Sequence, residues 1–142
     1  MSSPLPILQG RGTPINPAGR FERLDVAPDF EHTDEHALPR AVATEYLVDH
    51  TKSVIAYNDS PDVSFDASIN PYRGCEHGCI YCFARPTHEY LDMSAGLDFE
   101  TKILVKTEAP ALLRKELSAK AYVPQTLGFS GVTDPYQPIE RK

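Results

Sequence analysis

Apolar and polar positions settle into a regular alternation of elements only in the second half of the chain. Residues 1–40 show no sustained period. Gly10–Gly19 is crowded with glycine and proline, and Asp29–Glu35 is acidic and polar, so this stretch reads as an irregular arm. Residues 41–57 (AVATEYLVDHTKSVIAY) hold more apolar side chains. Ser53–Tyr57 reads as a short strand, whereas Ala41–Val48 suits helix and strand equally, and Asn58–Pro61 forms a turn. From Val63 the punctuation sharpens. Val63–Asn70 reads as a strand, followed by Pro71–Gly74 and a cysteine-bearing loop. Pro86–Met93 suits a short helix with Thr87 as its cap, broken by Gly96. Lys102–Thr107 (KILVKT) is an apolar run of buried-strand length. Ala109–Lys120 is the clearest helix. Pro110 sits in its first turn, where a missing N–H costs nothing. Leu113 and Leu117 stack at i, i+4 beside Leu112, while Arg114, Lys115 and Glu116 face water. Leu127–Val132 is a third strand and runs into the loop Thr133–Pro138.

The resulting order is strand, cysteine loop, helix, strand, helix, strand. Such alternation implies an α/β fold with a parallel sheet and right-handed crossovers, and the unit length of about 30 residues is that of a (β/α) barrel. The sequence divides into an irregular N-terminal arm over 1–60 and the start of a barrel over 61–142. Three strands leave a long open edge and cannot close a barrel, so the chain reads as the N-terminal part of a longer protein.

Composition narrows this picture. The chain has 142 residues, 13 of them proline, about twice the ordinary proline usage of about 5%. It has no signal-peptide core and no apolar run long enough to cross a membrane, which suits a cytoplasmic protein. The net charge is -6, and neither half carries a basic stripe, so nothing in the charge supports a nucleic-acid partner.

All three cysteines fall within eight residues, Cys75-Glu-His-Gly-Cys79-Ile-Tyr-Cys82, a C-x3-C-x2-C cluster. An odd count argues against a disulfide framework, and a reducing compartment leaves thiolates free for metal. Three thiolates on one loop can ligate three corners of an iron–sulfur cube and leave the fourth iron open to a small molecule. Gly74 and Gly78 flank the first two cysteines and permit the close backbone wrap that this requires. The rival chemistry is zinc: Cys79-x2-Cys82 is a common half-site, and Cys75 with His77 or His88 would complete a Cys3His tetrahedron. A structural module holding zinc or a cluster without catalysis is the corresponding alternative function.

The cluster, with Tyr81 in the aromatic place of C-x3-C-x-aromatic-C, resembles the signature of the radical S-adenosylmethionine (SAM) superfamily. The wider run Asn70–Arg85 and the later Thr133–Pro138 are similar to the subgroup related to spore photoproduct lyase, often described as DNA repair photolyase-like. The resemblance spans about residues 10–142. It implies the first half of a partial (β/α)6 barrel. It also implies a [4Fe–4S] cluster on Cys75, Cys79 and Cys82, with the amino and carboxylate groups of SAM on the fourth iron. The reaction implied is reductive cleavage of SAM to a 5′-deoxyadenosyl radical that abstracts hydrogen from a substrate, as in lyases and oxidoreductases of this type. Tyr81 would lie near the adenine. Ser130, Thr133 or Asp134 would contact SAM, in a segment that departs from the family's usual Gly-Gly-Glu-Pro motif. A flavodoxin or ferredoxin would supply the electron, and a DNA lesion is the substrate that the subgroup suggests.

The remaining polar residues have plainer readings. His77 shapes the loop through a hydrogen bond, and His88 lies at the surface or caps a helix. His32, His36 and His50 are solvated. Arg73 and Arg85 bracket the loop, either offsetting an anionic cluster or pairing with Glu76 or Glu89. Lys106 ends a strand where barrel active sites lie. Tyr72, Tyr81, Phe83 and Tyr90 can shield a cluster or pack as core.

Overall fold

In the computed structural model, which describes residues 8–17, 20–21 and 40–141, the extended runs form short strands. They are β1 (Leu8–Gln9), β2 (Arg40–Ala41), β3 (Glu45–Val48), β4 (Ile55–Tyr57), β5 (Ala67–Ile69), β6 (Tyr72–Arg73), β7 (Lys102–Val105) and β8 (Leu127–Phe129). The helices are α1 (Leu97–Thr101) and α2 (Ala109–Leu117), with 3-10 turns over Arg85–Leu91 and Pro138–Arg141.

Two three-stranded mixed sheets organise these elements, beside the parallel pair β1–β2. In the order β3-β7-β6, β3 runs parallel to β7 with Tyr46 opposite Ile103, and β6 is antiparallel. In the order β4-β5-β8, β4 is antiparallel to β5, and β5 runs parallel to β8 with Ser68 opposite Gly128. The three expected strands are present, each shorter than its apolar run. β5 pairs directly with β8, while β7 lies in the other sheet. Pro71 explains the switch. It lacks the N–H that would extend β5, and its carbonyl instead accepts from Lys106 N–H at 3.0 Å, delivering the chain onto β7. The ambiguous stretch at 41–48 forms no helix: Ala41 ends β2 and Glu45–Val48 is β3. Strands from the segment read as an arm, β3 and β4, thus enter both sheets.

Two apolar clusters form the core. One gathers Val54, Ile55, Ala67 and Ile69 under Leu112, Leu113, Tyr122 and Leu127. The other joins Cys75, Ala84 and Phe99 with Cys82 and Val132, so the cysteine loop is itself part of the packing. α2 packs Leu112 and Leu113, both half-buried, against the first cluster, whereas Leu117, expected to stack with Leu113, is exposed. Glu116 departs from its expected solvent position: its carboxylate accepts Val54 N–H at 2.7 Å and Ile55 N–H at 3.1 Å, capping the start of β4. Where a helix was expected over Pro86–Met93, the chain forms a 3-10 turn over Arg85–Leu91. Thr87 does not cap it, because its hydroxyl donates back to the Ala84 carbonyl at 2.6 Å. Gly96 stands at the N-cap of α1. Among the described residues, no helix is long and apolar enough to cross a membrane.

Candidate metal centre

The cysteine loop begins where β6 ends. Gly74 turns the chain at φ 82°, and Cys75 N–H donates to the Phe99 carbonyl at 2.9 Å. Gly78, at φ 64°, turns it again. Gly78 N–H reaches the Cys75 carbonyl at 3.2 Å, Cys82 N–H the Cys79 carbonyl at 3.2 Å, and Arg85 N–H the Cys82 carbonyl at 3.4 Å. These successive turns coil the loop. Both glycines are sterically required as well as conformationally convenient. A Cβ on Gly74 would lie 2.9 Å from His88 Cε1, and one on Gly78 would lie 2.6 Å from Arg11 Cβ.

The three thiols are free, with Cys75 buried, Cys82 half-buried and Cys79 exposed. Among the described residues, no three His, Cys, Asp or Glu side chains converge closely enough to hold a single metal ion. A cubane makes a different demand, since each thiolate meets its own iron. Three free thiols on one coiled loop, with backbone turned by two left-handed glycines, fit that donor set. The two imidazoles that could complete a zinc tetrahedron have other partners. His77 Nε2 lies 3.5 Å from Asp134 Oδ2. His88 is fully buried, with Nε2 donating to the Lys102 carbonyl at 3.0 Å, its ring edge-on to Phe99 and its Nδ1 without a partner. The surface position expected for His88 is therefore incorrect. Nothing in the mostly polar local sequence marks a core histidine, and burial pushes its pKa below the usual imidazole value.

The segment 130–137 is brought against the loop by four polar side chains. Thr133 donates from Oγ1 to the Gly74 carbonyl at 2.6 Å. Asp134 faces His77. Gln137, almost fully buried, accepts Glu76 N–H at 2.9 Å and donates to the Asp134 carbonyl at 3.1 Å. Asn70 Oδ1 accepts the amides of Gly131 and Val132 at 2.9 and 3.1 Å. Ser130 adopts φ 68°, rare for a residue with a Cβ, and its buried hydroxyl has no partner. Tyr81 projects into solvent, 86% exposed.

The arginines choose partners that their local sequence does not reveal. Arg73 Nε pairs with Asp49 at 3.0 Å, and Arg85 Nη2 with Glu100 at 2.6 Å. Glu76 and Glu89, the expected partners, instead meet Arg11 and Arg20. Lys106 is half-buried at the end of β7, and burial, then nearby Arg73, pushes its ammonium pKa down. Tyr46, half-buried and donating its hydroxyl to Glu76 at 2.5 Å, has its pKa pushed up to about 12 by desolvation and then by that carboxylate. Of the solvated histidines expected, His50 is exposed; His32 and His36 lie outside the described residues. Gln137, Glu100 and Arg11 went unremarked in the sequence. Their signal there is slight, because each acts through partners tens of residues away.

No family model matches this chain. An uncharacterized protein of Mycobacterium tuberculosis strain H37Rv is 48% identical over 88 residues, covering 60% of this chain and 26% of the relative. An uncharacterized protein of Mycobacterium bovis matches to the same extent. An uncharacterized protein of Methanocaldococcus jannaschii is 32% identical over 74 residues, covering 51% of this chain and 25% of the relative. The match thus spans about a quarter of the length of these relatives. No solved structure matches.

Proposed function

We propose that Cys75, Cys79 and Cys82 hold a [4Fe–4S] cluster and that the chain belongs to a radical SAM enzyme, within a (β/α) barrel of which it supplies part. The observation that carries this reading is the loop itself. Three free thiols lie on eight residues wound by two left-handed glycines, with the segment 130–137 hydrogen-bonded against it. A cluster held by Cys75, Cys79 and Cys82 would supply one-electron reducing chemistry toward the sulfonium of SAM, the chemistry needed for hydrogen-atom abstraction from a substrate.

The chain's own residues do the positioning. Thr133 fixes the peptide of Gly74 and hence the approach to Cys75. Asp134 presents a carboxylate beside the loop, the charge that an amino group of SAM requires. Ser130 holds an unpartnered hydroxyl at the end of β8, where it can bond the nucleoside. Ala84, Phe99 and Val132 pack behind Cys75 and keep water from that side. The resemblance suggests a DNA lesion as substrate, a reading to which the net charge of -6 adds no support. An external reductant of the flavodoxin or ferredoxin class completes the reaction.

The test is formation of 5′-deoxyadenosine from SAM under a strong reductant, with wild type and Cys82→Ala compared after anaerobic reconstitution. Wild type forms the nucleoside, and the variant loses both iron and product. Full iron content and turnover in Cys82→Ala contradict the assignment. A colourless protein with one zinc per chain favours the structural module.

A further inference from the structure

One carboxylate lies behind the cysteine loop and joins the two sides of a polar network, accepting from the N-terminal segment on one oxygen and from Arg85 on the other. Glu100, on α1, is fully buried. Its Oε2 accepts the backbone amides of Arg11 at 2.5 Å and Gly12 at 2.9 Å. Its Oε1 accepts Arg85 Nη2 at 2.6 Å. Arg85 in turn spends its remaining donors on backbone carbonyls: Cys79 at 3.0 Å, Ala95 at 3.2 Å, Gly96 at 3.1 Å and Gly78 at 2.9 Å. Its guanidinium also stacks over Phe99, 5.3 Å from the ring centre. The whole donor fork of Arg85 is thereby satisfied, so it is a fastener rather than a ligand-binding cation. On the other side Arg11 crosses the loop. Nη1 meets the Glu100 carbonyl at 3.0 Å, and Nη2 meets Thr44 Oγ1 at 2.7 Å and Glu76 at 2.8 Å. The fit between the two segments leaves no slack, since a Cβ on Gly12 would lie 1.7 Å from the Gly78 carbonyl.

We infer that Glu100 is a positioning residue that clamps the Gly78–Cys79 half of the cysteine loop between Arg85 and the N-terminal segment 10–12, pre-shaping it for its metal group. This rests on the cluster reading for the identity of the group, though not for the clamp. The chemistry explains the arrangement. Cys79 is the exposed thiol, on the part of the loop with the least apolar packing, and it needs an external frame. Arg85 draws the carbonyls of Gly78 and Cys79 to one side. In trans peptides this turns the following N–H groups of Cys79 and Ile80 to the opposite side, where they are free to donate to sulfur. A buried, charge-assisted network holds such a geometry more stiffly than exposed contacts do.

Two readouts on the intact protein test the clamp, in wild type, Glu100→Gln and Arg11→Ala. In metal-free protein, amide exchange at Gly78 and Cys82 accelerates by about tenfold in the variants, the factor that a charge-assisted hydrogen bond carries, while exchange in β7 is unchanged. In anaerobically reconstituted protein, the electron paramagnetic resonance signal of the reduced cluster broadens or shifts its g values in the variants. A merely structural contribution to folding leaves that signal intact in whatever protein remains folded. Arg11→Ala removes the bonds to the Glu100 carbonyl, Thr44 and Glu76 but keeps the backbone amide on the Glu100 carboxylate, so the test stays available should Glu100→Gln not fold. Loop exchange equal to wild type, or acceleration shared equally by β7, overturns the clamp. Wild type that takes up no iron while its loop exchange responds as stated overturns the cluster reading and upholds the clamp.

Discussion

His88 shows how a single side chain reports on the interior behind the loop. Burial is the largest influence and holds the ring neutral, reinforced by the charges of Lys102 and Arg73, while the hydrogen bond from Nε2 to the Lys102 carbonyl and the charge of Asp98 oppose it. The unfolded chain takes up a proton on this imidazole near the ordinary pKa of about 6.5, whereas the folded chain does so only at lower pH. The unfolded state therefore binds more protons on acidification. The stability from the neutral ring is complete above about pH 6.5 and declines below it, by up to about 1.4 kcal/mol per pH unit. Thermal melts across about pH 7.5 to 5.5 will show a steeper acid loss in wild type than in His88→Gln; equal slopes contradict the account. The three cysteines were legible because their relation is set by covalent spacing on one loop. His88 was not, since nothing in Pro86–Met93 marks the buried side of a 3-10 turn. Glu100 and Arg11 were invisible for a related reason: 89 residues separate them, and only the fold brings them together.

At the scale of elements, the apolar runs announced which segments become strands, but pairing depended on proline and on polar caps. β5 stops because Pro71 follows, and β4 starts where Glu116 of α2 satisfies two amides whose residues are buried. Heptad-like spacing alone would send Glu116 to solvent; a tertiary contact outranks that pattern. Glu116→Ala leaves the amides of Val54 and Ile55 without their acceptor and should cost about 1–3 kcal/mol, at the lower end if water enters. Denaturant unfolding measures the loss, and a midpoint unchanged from wild type contradicts the capping role. Glu116→Gln, which keeps an acceptor oxygen, should recover part of the stability.

At the scale of the molecule, the two mixed sheets present short strands and put the cysteine loop at the junction of β6, α1 and the segment 130–137. The positions of β5, β7, β8 and α2 were readable from the sequence, while α1 and the partition of β5 and β7 into different sheets were not, because strand order is decided by long-range pairing. The relatives are about four times as long as the matched region. The central claim concerns the loop and can be tested on it directly. Oxygen-free protein, loaded with iron and sulfide and then reduced, should give the paramagnetic signal of a [4Fe–4S] cluster, and that signal should change shape when SAM is added. A protein that binds no cluster, or one whose signal is indifferent to SAM, contradicts the account.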